Sequence, residues 1–282
     1  MDRLIDLHTH STESDGSMSP RELVRHAGKC GLTAIALTDH DTIEGVPEAV
    51  IEGEKSSIEV IPGVEISVLF KPEMHILGYF FGNDYLNILP VLDELKRKRN
   101  ERNPKIVNKL NEMGFDISME EVVREAGGTI VARPHIAKVL TKKGYVGSVS
   151  EAFDRYLSSG RPAYFRKEKL TPEEGIRVIT EAGGIPVLAH PVHLDMNMSQ
   201  LDRLLDSLAT SGLKGIEAVY PDNTETDTGN LLRLALKHKL LPTGGSDFHG
   251  HYKPDIDIGK GRGNLRIPYA ILEGLKSMKL KT

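Results

Sequence analysis

The 282-residue sequence contains no tryptophan and a single cysteine, Cys30. One thiol excludes an internal disulfide and any cysteine-built zinc cluster, so a metal site would have to draw on His, Asp and Glu. Cys30 falls at an apparent helix end and reads as structural. No apolar run approaches the roughly 20 residues that span a bilayer. The opening "MDRLIDLH" is too polar and too short for a signal peptide. The expectation is a cytoplasmic protein with no membrane partner. An excess of positive charge is missing as well: 36 Lys and Arg stand against 40 Asp and Glu, for a net charge of −4. Such a surface is unsuited to wrapping duplex DNA, although a local basic pocket for one or two phosphates remains open. Internal repeats and low-complexity tracts are also absent.

What remains is an ordinary globular composition, 39% hydrophobic and 27% charged, with eleven histidines. The length suits one large α/β domain or a domain carrying an insertion. Seven short runs rich in β-branched residues end in polar ones: "LIDLH" at 4–8, "TAIALTDH" at 33–40, "IEVIPGVEIS" at 58–67, "HILGYFF" at 75–81, "IPVLAH" at 185–190, "GIEAVY" at 215–220 and "LLPTGGSD" at 240–247. Runs of this kind read as buried strands of a parallel sheet covered by helices. Two intervening helices are well signalled. Ser19-Pro20-Arg21-Glu22 supplies an N-cap, a first-turn proline and a capping-box glutamate, and Thr171-Pro172-Glu173-Glu174 repeats it. The alternation predicts a βα barrel or an open α/β sheet. Residues 86–160 break it, being helical and strongly charged, with one short strand-like run at 128–132 and a helix start at "SMEE". They are read as an inserted helical subdomain between barrel segments 1–85 and 161–282.

The polar residues fall at the strand ends. His8 and His10 end the first strand, Asp39, His40 and Asp41 the second, Glu65 the third, His190 a later one, and Asp247 and His249 the last, while His75 opens "HILGYF". In parallel α/β folds strand C-termini converge on the ligand site. One histidine at a strand end, or Asp15 before a glycine, is ordinary; the joint placement points to a polynuclear metal site. Residues i and i+2 of a strand share a face, so His8 and His10 can grip one cation, and Asp247 and His249 repeat the spacing. Imidazole with carboxylate suits Zn²⁺, Mn²⁺ or Fe²⁺. A carboxylate such as Glu65 can bridge two ions, and two ions roughly 3.5–4 Å apart form a device for attack on phosphate esters. His26 and His238 lie within amphipathic helices and read as structural. His193 and His251, just beyond the motifs "LAHP" and "GGSDFHG", remain candidates for supporting or acid–base roles.

The series "DLHTHSTESDG", "ALTDHDTIEG", "PGVEIS", "HILGYF", "LAHP" and "GGSDFHG", spread over residues 4–250, resembles the motifs of the PHP (polymerase and histidinol phosphatase) superfamily. The 86–160 insertion resembles that of its bacterial phosphoesterases acting on nucleoside 3′,5′-bisphosphates and on 5′ ends of short RNA. The resemblance implies a distorted seven-stranded βα barrel with a trinuclear site. By position, His8, His10, Glu65 and Asp247 would hold one ion, Glu65 would bridge to a second held by His75 and His190, and Asp15, His40 and His249 would hold a third. The expected cofactors are two or three divalent ions, Mn²⁺ first, with Zn²⁺ or Fe²⁺ as alternatives. His8, His10, Glu65 and Asp247, with a metal-bridging hydroxide, would form the catalytic core, and His193 is added as an acid–base candidate.

The insertion offers cationic clamps. Apolar residues at spacings of three and four place Arg99 and Arg102 on an inward stripe, where a guanidinium calls for an anion; the rival reading is a solvated basic helix whose phase Pro104 breaks. In "ARPHIA" at 132–137, Arg133 and His135 sit beside a helix N-terminus, a favourable place for phosphate. The resemblance implies that this insertion closes over the metal site and binds the substrate's second phosphate. Arg161 is a further candidate. The expected substrate is a nucleoside 3′,5′-bisphosphate, losing its 5′ phosphate, or a short 5′-phosphorylated single-stranded RNA. Alternatives are a histidinol-phosphate phosphatase and a non-catalytic PHP module attached to a polymerase or a regulatory role.

Overall fold

The structure, a computed structural model, describes residues 3–127, 131–165 and 169–279, the Arg99 side chain excepted. Its elements run β1 (Ile5–Thr9), α1 (Pro20–Lys29), β2 (Ala34–Leu37), α2 (Val46–Ser56), β3 (Glu59–Val68) and β4 (Met74–Tyr79). A helical stretch follows, with α3 (Leu89–Glu112), α4 (Met119–Ala126), α5 (Arg133–Lys142) and α6 (Val149–Ala152). The alternation then resumes with α7 (Pro172–Glu181), β5 (Ile185–Leu188), α8 (Met198–Thr210), β6 (Gly215–Val219), α9 (Glu225–Lys237), β7 (Leu241–Gly244) and α10 (Ala270–Lys279). The chain divides into two compact units, Met1–Pro90 with Leu170–Thr282, and Val91–Lys169.

In the first unit all seven strands form one sheet in sequential order, β1 to β7. The strands are parallel except β4, which runs antiparallel to both neighbours. The all-parallel expectation is thereby corrected, and the reason is length: only residues 69–73 separate β3 from β4, enough for a hairpin and far too few for a parallel crossover. The barrel closes irregularly. Asp247 N–H donates to His8 O at 2.9 Å and His10 N–H to Phe248 O at 3.0 Å, so the chain beyond β7, rather than β7 itself, meets the end of β1.

The barrel interior packs Ile5, Leu7, Ala34, Ala36, Ile61, Leu77, Tyr79 and Val187 into a continuous core. Each fully buried aliphatic side chain contributes about 1.5–3 kcal/mol. All three sequence-read helix starts are present as capping boxes, Ser19 with Glu22, Ser118 with Glu121 and Thr171 with Glu174. α1 turns Leu23, Val24 and Ala27 inward, and α7 turns Ile176 and Ile179 inward.

The second unit has a separate core of Ile106, Leu110, Val122, Ile136 and Leu140, flanked by Phe115, Tyr145 and Tyr156. Helix α3 continues through Pro104 without a break. Of the strand-like run at 128–132, residues 128–130 lie outside the described residues. Among the described residues no helix is long and apolar enough to cross a membrane.

Candidate metal centre

Glu65 sits at the middle of the cluster. It lies on β3 where the continuation of β2 still pairs with it, Glu65 N–H donating to Asp39 O at 3.1 Å and Asp41 N–H to Glu65 O at 2.9 Å. This pairing sets His40 beside it. The two carboxylate oxygens face different imidazoles. Oε1 lies 2.9 Å from His75 Nδ1 and 2.9 Å from His190 Nε2. Oε2 lies 3.2 Å from His8 Nε2, 3.3 Å from His10 Nε2 and 3.1 Å from His40 Nδ1. His75 reaches the site from the start of its strand because β4 is reversed: the beginning of β4 and the ends of its neighbours share one rim.

Asp247 Oδ1 lies 3.1 Å from His10 Nε2, 3.6 Å from His8 Nε2 and 3.4 Å from His249 Nδ1. Asp15 closes the outer edge, its Oδ1 3.2 Å from His249 Nε2 and its Oδ2 3.7 Å from His40 Nε2, with the side chain 55% exposed. All nine residues expected as ligands are therefore brought together. Donor atoms of seven of them gather in overlapping groups: His8, His10 and Glu65; His40, Glu65 and His75; and His10, Asp15, His40 and His249. His10 and His40 each belong to two groups, so the sharp division of ligands drawn from sequence position is blurred in space. His190 and Asp247 adopt positive φ, 24° and 54°, a strain costing about 1–3 kcal/mol each that is typical of functional sites.

His8 Nε2, His10 Nε2, His40 Nδ1 and Glu65 Oε2 are buried and, despite lying close together, make no aligned hydrogen bond among the described residues. Buried polar atoms normally find partners. Donor atoms converging without aligned hydrogen bonds between them fit a divalent cation, and the nitrogen and oxygen donors suit Zn²⁺, Mn²⁺ or Fe²⁺. The electrostatics agree. Burial lowers the His10 pKa, but Asp247 and Glu65 overcome it and raise it to about 10. Against the same burial penalty, Glu65 and Glu73 raise His75 to about 9. Burial drives His40 down to about 4, with cationic neighbours adding to the effect. Glu65 and Asp247 stay well below the usual carboxylate range, burial being outweighed by the surrounding imidazoles.

Glu217, Tyr220 and Lys253 support the centre and were not singled out from sequence. Glu217, wholly buried on β6, meets His8 Nδ1 at 3.0 Å with Oε1 and accepts from His190 N–H at 2.8 Å with Oε2. Its signal was a carboxylate inside the apolar run "GIEAVY", where a buried charge demands partners. Tyr220 and Lys253 donate to Asp247 Oδ2 at 2.8 and 2.7 Å. Asp39 accepts from Ser11 N–H, Ser11 Oγ and Ser14 Oγ at 2.6–2.7 Å, bracing the loop after β1. His193 lies with its ring 5.1 Å from that of His190 and is held by Asp222 at 3.0 Å, which Arg262 grips in turn. His251 lies tilted against Tyr252, His26 stacks on Phe248, and His238 pairs with Asp202 at 2.7 Å.

The candidate phosphate-binding residues lie in the second unit. Arg102 is buried and donates to Asn103 Oδ1 at 2.8 Å, and Asn103 donates to Val131 O. Arg133 begins α5, donates to Leu157 O at 2.9 Å and faces the rings of Phe153 and Tyr164. His135 Nδ1 accepts from Ala132 N–H at 3.1 Å, capping the same helix start. The Arg99 side chain lies outside the described residues. Exposed Arg161 sits in the turn after α6, its N–H bonded to Ser158 O.

The PHP domain model matches residues 6–227. The chain belongs to the PHP domain family. A 5′-3′ exoribonuclease of Haemophilus influenzae is 36% identical over 250 residues, covering 88% of this chain and 91% of that protein. A 3′,5′-nucleoside bisphosphate phosphatase of Chromobacterium violaceum is 30% identical, with 90% of each chain covered. A phosphoribosyl 1,2-cyclic phosphate 1,2-diphosphodiesterase of Eggerthella lenta is 31% identical over 93% of this chain and 98% of its own. A Bifidobacterium adolescentis structure described as a metal-dependent phosphoesterase superposes with a TM-score of 0.78 at 29% identity, covering 98% and 96%. This PHP chain is a metal-dependent phosphoesterase, a hydrolase of phosphate esters.

Proposed function

We propose that this PHP phosphoesterase removes the 5′ phosphate of nucleoside 3′,5′-bisphosphates and hydrolyses the first phosphodiester of short 5′-phosphorylated RNA. The carrying observation is Glu65, whose two oxygens face two separate sets of imidazoles. His8, His10, Glu65 and Asp247 would hold one ion, Glu65 with His75 and His190 a second, and Asp15, His40 and His249 a third. Divalent ions held there, Mn²⁺ first among candidates, supply Lewis acidity that activates water and offsets charge on the phosphoryl oxygens.

The protein's own groups position and select. Tyr220 and Lys253 occupy Asp247 Oδ2 and so aim Oδ1 at the imidazoles. His193, oriented by Asp222, is the candidate proton donor to the leaving oxygen. Arg102, Arg133 and His135, with Arg99, would grip a second phosphate, for which planar guanidinium is suited. That requirement separates a bisphosphate from a simple monoester, and it favours the phosphatase and exoribonuclease relatives as guides. In this reading the protein works in the cytoplasm on nucleotides and single-stranded RNA ends.

The test is a substrate panel with Mn²⁺-loaded protein: an adenosine 3′,5′-bisphosphate, AMP, a 5′-phosphorylated oligoribonucleotide, histidinol phosphate and a ribose 1,2-cyclic phosphate. Preference for the bisphosphate and the oligoribonucleotide over AMP supports the reading. Turnover confined to histidinol phosphate or to the cyclic ester overturns it.

A further inference from the structure

Among the buried ionisable groups, Glu217 is left out of every ligand group, yet it touches two residues that belong to the centre. It is wholly buried on β6, at a register shift in the β6–β7 ladder. One oxygen meets His8 Nδ1 at 3.0 Å and the other accepts from His190 N–H at 2.8 Å. We propose that Glu217 is a positioning residue that fixes which nitrogen His8 offers to a divalent cation and pins the strained backbone of His190, so that both ligands are set before the ion arrives. The proposal rests on the metal-dependent reading above.

The direction of the hydrogen bonds decides the tautomer. An ionised carboxylate only accepts, so His8 Nδ1 must donate to Glu217 Oε1. In the neutral imidazole that can ligate a cation, the proton is then on Nδ1 and the lone pair on Nε2. That nitrogen points at Glu65 Oε2, 3.2 Å away, and makes no aligned hydrogen bond. A carboxylate behind a ligating histidine commonly fixes tautomer and ring orientation in this way. The second arm acts on backbone. His190 has φ 24°, unfavourable for any side-chain-bearing residue, and the bond from its N–H to Glu217 Oε2 helps hold it there. One carboxylate thus ties β1 and the loop after β5 to β6.

Glu217→Gln is a sharp probe because it preserves shape while removing one acceptor. If its amide nitrogen faces His8, Nδ1 must accept, Nε2 carries the proton and His8 cannot ligate through it. If the amide is reversed, two donors oppose each other at His190. The experiment compares wild type and Glu217→Gln by chelator-competition titration with Zn²⁺, metal content by elemental analysis, and ¹⁵N spectra of the histidine rings in Zn²⁺-loaded protein. The expected result is a 10- to 100-fold loss of Zn²⁺ affinity with circular dichroism unchanged. In wild type His8 should show protonated Nδ1 and metal-shifted Nε2. An unchanged Zn²⁺ affinity in the variant overturns the proposal and leaves the metal reading intact. So does a wild-type His8 protonated at Nε2, a readout that needs no folded variant. Wild-type protein that binds no Zn²⁺ or Mn²⁺ overturns the metal reading itself and the proposal with it.

Discussion

The Tyr220 hydroxyl donates to Asp247 Oδ2 at 2.8 Å, and Lys253 Nζ reaches the same oxygen at 2.7 Å. With Oδ2 taken twice, only Oδ1 faces His8, His10 and His249. Burial, with Asp247 close by, raises the tyrosine pKa, so it stays a donor across the working range of pH. Tyr220→Phe should weaken metal binding roughly 10-fold, the usual scale for a residue behind a ligand, and cost about 1 kcal/mol of stability for the lost bond. Chelator competition and denaturant titration measure the two separately. A variant that loses stability but binds metal as before would show that Tyr220 only packs.

Glu65 and Asp15 should behave differently when neutralised. Glu65 contacts five imidazoles from the centre of the cluster, whereas Asp15 touches its exposed edge. Glu65→Gln should abolish measurable binding of two ions and reduce kcat by at least about 10²-fold, as loss of a core electrostatic element does. Asp15→Asn should lower metal content by one ion and leave residual turnover. Metal analysis of both variants decides it; equal loss in the two would argue against an outer third ion.

The seven strands and the convergent rim were legible because fully buried strands leave uninterrupted β-branched runs that end where polar residues begin. The reversal of β4 was also written in the sequence, as the five-residue gap at 69–73, but a run such as "HILGYFF" carries no mark of direction. Ligands were easier to find than their supports. His8 and His10 announce themselves by chemistry and spacing, whereas Glu217 shows in the sequence only as a carboxylate inside an apolar run, and its partners His8 and His190 emerge only from the fold. Lys253 sits in an aperiodic loop after "SDFH", and no local pattern ties it to Asp247. Supports of this kind depend on tertiary neighbours far apart in sequence.

The pKa shifts predict a pH response of the metal-free protein that bound metal damps. His10 and His75 rise from 6.5 to about 10 and about 9 in the folded protein. Their protonation therefore stabilises the chelator-treated protein fully below pH 6.5, and that contribution disappears as pH climbs through 9 to 10. Cations compete with these same protons, so metal affinity should rise over that window. Melting curves of chelator-treated protein should fall by several degrees between neutral pH and pH 10, with the Mn²⁺-loaded protein changing less. A chelator-treated protein whose melting point is flat across that range would contradict the imidazolium–carboxylate pairing.

Arg133 should report on substrate selection. Its guanidinium is held by Leu157 O and lies near the Phe153 and Tyr164 rings, leaving a charged group fixed at the start of α5. Arg133→Ala should lower kcat/KM for a nucleoside 3′,5′-bisphosphate by about 10- to 100-fold, the scale of one lost charged hydrogen bond. Hydrolysis of a generic aryl phosphate should change little. Equal losses on both substrates, with the melting point preserved, would remove Arg133 from recognition of the second phosphate.

Gly245 tests how the barrel closure holds His8. A Cβ placed there would lie 2.2 Å from His8 Cβ and 2.6 Å from His8 N, distances no packed structure tolerates. The approach is this close because Asp247 N–H bonds His8 O just beyond it, where the chain after β7 meets the end of β1. Gly245→Ala must push His8 away from Glu217 and Glu65. It should cost about 1–3 kcal/mol, the usual penalty of overpacking, and weaken Zn²⁺ binding as well. Gly229, inside α9 with open space around its would-be Cβ, is the matched control: Gly229→Ala should be neutral or stabilise by about 0.5–1 kcal/mol, since alanine suits a helix better. Denaturant titrations and Zn²⁺ titrations on the two variants give the answer. If Gly245→Ala lost stability while binding Zn²⁺ at wild-type strength, the position of His8 would not depend on the closure, and the tight contact between the two strand ends would serve the fold alone.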